Sequence, residues 1–259
     1  MSNTALITGA SSGIGLELAR IHGSRGGNLI LVARNKMKLD ELKSELEAKY
    51  KICVHVISKD LSDVDAAQEV FNEVKKQNVH VDYLINNAGY GDYGLFAETN
   101  DEKETRMIFL NIHTLTRLTK LFLPEMISRG QGKIMNLGST ASFQPVPLMG
   151  VYAATKAYVL SFSEALNNEL EGTGVTVTAL CPGLTESGFV DAAAMNQSKM
   201  AKQKKLPGAK EVAEFGYQAM LKGKAVVVHG YGNRLLTIAQ GLVPRGLVVN
   251  MTRKLIEAR

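Results

Sequence analysis

The sequence predicts an α/β fold, a doubly wound parallel sheet of about seven strands flanked by helices. Three observations carry that expectation. Short, apolar, β-rich runs alternate with segments of helical pattern along the chain. The connections between them are short, which suits strand–helix–strand units and a parallel sheet. Gly9, Arg34, Asp60, Asn87, Ser139 and Pro182 each stand at or just beyond the carboxyl end of a different strand. Ligands of such sheets gather beyond those ends, so six independent strands direct their chemistry at one edge.

In chain order, strands are expected at residues 4–8, 28–33, 53–58, 83–86, 133–137, 175–181 and 225–229. Helices are expected at about 12–25, 38–50, 64–77, 102–128, 149–171 and 209–221. No linker, low-complexity run or internal repeat interrupts the series. Residues 1–259 therefore read as a single domain, with a substrate loop at about 184–208 and a C-terminal extension at about 231–259.

The composition is that of a globular protein: 45% hydrophobic, 21% charged, no tryptophan. No basic stretch followed by an apolar run opens the chain, so no secretory signal is expected, and the protein reads as cytoplasmic. Cys53 and Cys181 sit in apolar runs without metal spacing and are expected to be small buried thiols. The net charge of +5 is spread along helices and interleaved with acids, as in 36–49; the denser group Lys199, Lys202, Lys204 and Lys205 falls in an expected surface loop. Solvated faces explain this better than a nucleic-acid partner. The five histidines show no zinc-like spacing, so no metal site is expected. Ser139 lacks both a Gly-x-Ser-x-Gly setting and a histidine near in sequence, which disfavours a hydrolase.

The first strand–helix turn reads Gly9-Ala10-Ser11-Ser12-Gly13-Ile14-Gly15. Glycines let backbone approach a pyrophosphate, and the following helix N-terminus offers free N–H groups and positive potential. The turn at this junction points to a dinucleotide. An acidic residue at the end of the second strand would bind the adenosine ribose of NAD, whereas arginine accommodates the 2′-phosphate of NADP. That strand ends Val32-Ala33-Arg34-Asn35, and the nearest acid, Asp40, is already inside a helix. Arg34 therefore selects NADP(H), with Lys38 as a second, weaker phosphate contact.

Further along stand Ser139 and, in Val-Tyr-Ala-Ala-Thr-Lys, Tyr152 and Lys156. Positions i and i+4 share a helix face, so Lys156 is expected beside the Tyr152 phenol, lowering its pKa and making it a usable acid and base. With the Gly-x3-Gly-x-Gly turn, these residues resemble the short-chain dehydrogenase/reductase family over nearly the whole chain, a family with a Rossmann-like fold. The resemblance implies an NADP-dependent oxidoreductase interconverting a ketone or aldehyde and an alcohol. In it Tyr152 is the general acid/base, Ser139 holds the substrate oxygen, and Lys156 also binds the nicotinamide ribose. Asn111 positions a water that links Lys156 to solvent. The resemblance likewise implies cofactor contacts at Asp60 and Leu61 near the adenine, at Asn87, Ala88 and Gly89 along the ribose, and at Pro182, Gly183, Leu184 and Thr185 by the nicotinamide amide.

The substrate wall is expected from Tyr90, Tyr93 and Phe96, from 143–149, and from 184–205 with Phe189, Met195 and Met200. Its apolar character suits a lipophilic carbonyl, with packing beneath a lid the equal alternative; the family resemblance adds a 3-oxoacyl-type substrate to that expectation. A catalytically silent NADP-binding sensor is the alternative, opposed by the intact set Asn111, Ser139, Tyr152 and Lys156. Residues 235–251, rich in leucine and valine but interrupted by Pro244 and Arg245, are too short to span a bilayer. They read as pocket cover or a partner contact, with peripheral membrane contact as the lesser alternative. Apolar Ile108, Ile112, Leu115, Leu118, Val159 and Phe162 lie on more than one helix face. The family's dimer contact uses these helices, so a homodimer is expected ahead of a tetramer.

Overall fold

Strands β1 (Thr4–Thr8), β2 (Asn28–Ala33), β3 (Val54–Ser58), β4 (Tyr83–Asn86), β5 (Gly132–Leu137), β6 (Val175–Cys181) and β7 (Val226–Val228) form one sheet in a computed structural model, which describes residues 3–195, 198–199 and 206–257. Every pairing is parallel, in the order β3-β2-β1-β4-β5-β6-β7. The order reverses between β1 and β4, and that switch point opens a crevice at the carboxyl edge.

The apolar runs are continuous because both faces of the sheet are covered. Successive strand side chains point to opposite faces. Ala5, Ile7, Leu29 and Leu31 enter one core with α1 (Gly13–Ser24), α2 (Lys36–Tyr50) and α8 (Ala209–Leu221). Leu6, Ile30 and Val32 enter the other, with α3 (Ala66–Lys76), α5 (Leu115–Ser128) and α6 (Gly150–Glu169). Between the sheet and the second layer runs a buried polar chain. Asn86 Nδ2 donates to Thr119 Oγ1 (3.1 Å) and Asn136 Oδ1 (2.9 Å), and Asn136 Nδ2 donates to Ser163 Oγ (2.9 Å). Its geometry holds β4 and β5 in register just before their functional ends.

The four strands 4–8, 28–33, 83–86 and 175–181 have the expected bounds, and the others shift by a residue at one or both ends. The expected helix 102–128 is one continuous path with three parts: α4 (Asp101–Ile108), a π-helical turn (Phe109–Thr114) and α5. After α6 a short helix, α7 (Phe189–Ala192), follows β6, and the C-terminal extension folds as α9 (Tyr231–Ala239), a 3₁₀ turn (Gln240–Leu242) and α10 (Arg245–Ile256). Cys53 corrects an expectation. It is exposed, because β3 begins one residue later and Cys53 lies on the approach to it; Cys181 is buried. Met200, Lys202, Lys204 and Lys205 lie outside the described residues.

Candidate active site

The β1–α1 turn is built by exclusion of side chains. Gly9 and Gly13 have positive φ (68° and 55°). A Cβ on Gly15 would stand 2.4 Å from the Gly9 carbonyl oxygen and 2.4 Å from Asn87 Nδ2. Only glycine lets the helix start pack so closely on the turn. The β4 exit is tied to the same place: Asn87 Nδ2 donates to the Thr8 carbonyl (2.8 Å), and the N–H groups of Asn87 and Ala88 donate to Thr8 Oγ1 (3.0 Å each). Thr8, which opens the glycine-rich motif, thus joins the two loops flanking the switch point.

From this floor a cavity of about 460 Å³ runs along the carboxyl edge. Gly9, Ser11, Ser12, Gly13 and Ile14 line one side, and Arg34, Asp60 and Leu61 line one end. Asn87, Ala88 and Gly89 line its middle, and Ser139, Tyr152, Lys156 and Pro182, Gly183, Leu184 and Thr185 its far part. Three expected site residues do not line it. Gly15 is packed beneath the turn. Lys38 is exposed on the first turn of α2, where its N–H is capped by Asn35 Oδ1 (3.1 Å). Asn111 is buried behind the wall.

At the Arg34 end, a cation that the sequence reading missed stands beside Asp60. Arg106 of α4 lines the cavity and reaches Asp60 Oδ2 at 2.8 Å, while Arg34 Nη1 lies 3.8 Å from the same oxygen. Burial pushes the Asp60 carboxyl up. Hydrogen bonds from Ser62 N–H (3.0 Å) and Oγ (2.7 Å) and the two arginines outweigh it and hold the pKa below the ordinary value. No local pattern marks Arg106; its partner is 46 positions away.

At the far end, Ser139 caps the 3₁₀ turn Thr140–Phe143: its Oγ accepts from Ala141 N–H (3.1 Å), and its own N–H donates to Ser142 Oγ (3.1 Å). Such reciprocal capping fixes the hydroxyl. Ser139 acts on the phenol of Tyr152 to lower its pKa, and α6 presents that phenol one turn before Lys156. Asn111, on the π-helical turn, donates from Nδ2 to the Tyr90 carbonyl (3.1 Å) and to Thr155 Oγ1 (3.0 Å). It clamps the β4 exit loop to α6, and π-helical turns of this kind recur at functional sites.

The electrostatics differ from the expected pairing. Lys156 Nζ donates to the Leu137 carbonyl (2.7 Å) and lies 5.9 Å from the centre of the Tyr152 ring. Burial dominates both groups. It pushes the Tyr152 phenol up to about 12, against the lowering effect of Ser139, and brings Lys156 down to about 8. The phenol is therefore a proton donor at neutral pH.

The substrate wall also departs from expectation in part. Tyr90, Val146, Met149, Leu184, Phe189 and Met195 line the cavity; the Phe189 ring lies 5.2 Å from that of Tyr152. Phe96 does not, being 77% exposed. Tyr93 instead donates from its hydroxyl to the Ile256 carbonyl (3.2 Å). The C-terminal extension supplies two lining residues, Thr252 and Ile256 of α10, with Thr252 Oγ1 donating to Gln144 Oε1 (3.2 Å).

A doubly wound parallel sheet with this turn and this Ser–Tyr–Lys cluster defines a class of nucleotide-binding oxidoreductase folds. The short chain dehydrogenase family profile matches residues 3–198, and the chain belongs to that family. It is 34% identical over 182 residues to a very-long-chain 3-oxoacyl-CoA reductase of Bos taurus, covering 69% of this chain and 58% of the relative. It is 40% identical over 191 residues to sulfoacetaldehyde reductase 2 of Chromohalobacter salexigens, covering 73% and 75%. A short-chain dehydrogenase from Sphingobium yanoikuyae, solved in complex with NADPH, superposes with a TM-score of 0.82 at 33% identity, covering 93% and 94% of the two chains. The chain thus spans well under two thirds of the length of the bovine relative.

Proposed function

We propose that this protein is an NADPH-dependent oxidoreductase that interconverts a ketone or aldehyde and an alcohol, acting on a lipophilic or 3-oxoacyl-type substrate. The observation that carries the reading is one cavity joining the glycine turn and Arg34 at one end to Ser139, Tyr152 and Lys156 at the other. The donor set fits a phosphorylated dinucleotide. The turn offers free helix N–H groups, Arg34 is 76% exposed and free to turn onto a phosphate, and no acid stands at the end of β2. NADPH in the Sphingobium relative supports the same choice.

NADPH, when bound, supplies the hydride. Tyr152 donates its phenolic proton to the carbonyl oxygen as the alcohol forms, and takes it back in the oxidation direction. Ser139, held by its cap, donates a hydrogen bond to that oxygen and stabilises its developing charge. Lys156 keeps a positive charge beside the phenol and would hold the ribose hydroxyls of the bound cofactor. Asn111 holds the Tyr90 carbonyl and Thr155 so that this constellation stays in place.

Val146, Met149, Phe189, Met195 and Ile256 favour an apolar substrate. Among the described residues, the cations lining the cavity are Arg34, Lys59, Arg106 and Lys156. Three stand at the ends of β2 and β3 or beside Asp60, and the fourth serves Tyr152, so a small sulfonate finds no dedicated partner. The bovine 3-oxoacyl-CoA reductase supports the lipophilic choice. We place the protein in the cytoplasm, where Cys53 and Cys181 stay as free thiols.

The test is loss of NADPH absorbance with 3-oxoacyl thioesters, bulky ketones and sulfoacetaldehyde, NADH serving as the cofactor control. Turnover of the apolar carbonyls with NADPH is expected. NADPH binding without turnover of any carbonyl would favour the silent sensor.

A further inference from the structure

The C-terminal segment carries an apolar surface that the cavity does not use. In α10, Val248, Thr252 and Ile256 are buried, at intervals of four, on the side that closes the cavity. Leu247, Met251 and Leu255 repeat at the same interval about 100° round the helix, and they are 56%, 62% and 63% exposed. α9 buries none of its residues; Tyr231, Leu235, Leu236 and Ile238 are exposed, and Leu242 in the following turn is 85% exposed. The hydrogen bond from Tyr93 to Ile256 brings exposed Leu95 and Phe96 to within a few residues of the end of α10. Scattered surface leucines are ordinary, whereas helical stripes of them concentrated in one segment mark a contact surface.

Charge decides what that surface meets. Between residues 231 and 257 stand Arg234, Arg245, Arg253 and Lys254, all exposed, against the single acid Glu257, which is paired with Arg253 at 3.1 Å. A second copy docking through the same patch would set these cations against their own images. An anionic lipid surface complements them, and exposed leucines flanked by basic residues suit the headgroup boundary.

We propose that the C-terminal segment docks on an anionic phospholipid bilayer surface, with the outward leucines of α9 and α10 entering the headgroup boundary and the basic residues meeting lipid phosphates. Docking holds the cavity wall formed by Thr252 and Ile256 about one helix diameter, roughly 10 Å, from the lipid.

The test is co-sedimentation of the full chain with phosphatidylcholine–phosphatidylglycerol vesicles, with pure phosphatidylcholine as control. It needs no turnover, so its outcome is separate from that of the proposed reaction. The protein is expected to pellet with the mixed vesicles alone and to be released at about 1 M salt, where the screening length falls to roughly 3 Å. Arg234→Gln/Arg245→Gln should weaken binding roughly thirtyfold, and Leu235→Ser/Leu236→Ser should abolish it, with NADPH affinity unchanged in both. Failure to pellet with the mixed vesicles overturns the proposal, as does equal pelleting by the parent and both variants. A light-scattering mass that halves in the leucine variant, with no vesicle binding by the parent, would assign the surface to a second copy and overturn it too.

Discussion

Tyr152 and Lys156 show how burial and function pull against each other in one pair of side chains. The phenol, raised to about 12, stays protonated throughout the neutral range, and Lys156, lowered to about 8, is still mostly charged at pH 7. Reduction needs both protonated forms. As pH rises through about 8, Lys156 loses its charge, and kcat/KM for carbonyl reduction should fall; oxidation, which needs the phenolate, should rise with pH. Paired profiles in the two directions on one substrate check this, and a reduction rate that climbs between pH 7 and pH 9 would contradict it. Tyr152→Phe should lower both directions by on the order of a hundredfold to ten-thousandfold while leaving NADPH affinity intact, as read by fluorescence titration. At the other end of the cavity, Arg34→Asp replaces the phosphate partner with a repelling charge and offers a carboxylate to the ribose hydroxyls of NADH. The ratio of the NADPH to the NADH dissociation constant should rise steeply. If it stays unchanged, Arg106, which shares Asp60 with Arg34, is the discriminating arginine.

Elements matter here mainly by where they begin. α1 starts on a turn so tight that Gly15 touches backbone, and α6 starts just far enough from β5 to set Tyr152 beside capped Ser139. Gly15→Ala would force a Cβ to 2.4 Å from the Gly9 carbonyl oxygen. Backbone cannot yield as a flexible side chain does, so the helix start must move. The expected cost is about 1–3 kcal/mol, read as a fall in Tm of roughly 2–4 °C per kcal/mol, accompanied by weaker NADPH binding. An alanine variant with parental Tm and affinity would show that the turn is not closed by this contact. The π-helical turn between α4 and α5 has a similar positional role, since it delivers Asn111 to two partners on different elements, Tyr90 and Thr155.

At the scale of the whole molecule, two apolar cores clamp the sheet and leave the carboxyl edge for chemistry. Much of the apolar surplus on the α4–α5 path and on α6 is spent inside this chain: Leu115, Leu118 and Val159 are buried. Ile108 and Tyr158 remain exposed; Tyr158 stacks on Phe162 at 5.8 Å and is hydrogen-bonded to Thr116. We propose this partly aromatic face on neighbouring helices as the contact of the homodimer expected from the sequence. Light scattering after gel filtration should return twice the chain mass of 28.1 kDa. A monomer would sink the proposal, and Tyr158→Glu should convert a dimer to a monomer without loss of fold.

The sequence by itself determined the order of the seven strands, the main helical segments that flank them as far as residue 221, the glycine turn, and the Ser139, Tyr152 and Lys156 set. These depend on local period, local turn chemistry and short spacing, all of which are written along the chain. Their gathering into one cavity followed from a general property of parallel sheets, that strand carboxyl ends share an edge. Tertiary structure alone decided what depends on distant partners. Arg106 meets Asp60 only because the fold brings α4 against the loop after β3, and Thr252 and Ile256 reach the cavity only because α10 packs at its wall. Lys38 fell away because the first turn of α2 carries it outward, and Cys53 because the strand began a residue late. Even the Tyr152–Lys156 spacing, legible at once, left open which charge effect prevails. Helical spacing sets neighbours, but the pKa of each follows from the depth of burial and from the Leu137 carbonyl that holds the ammonium.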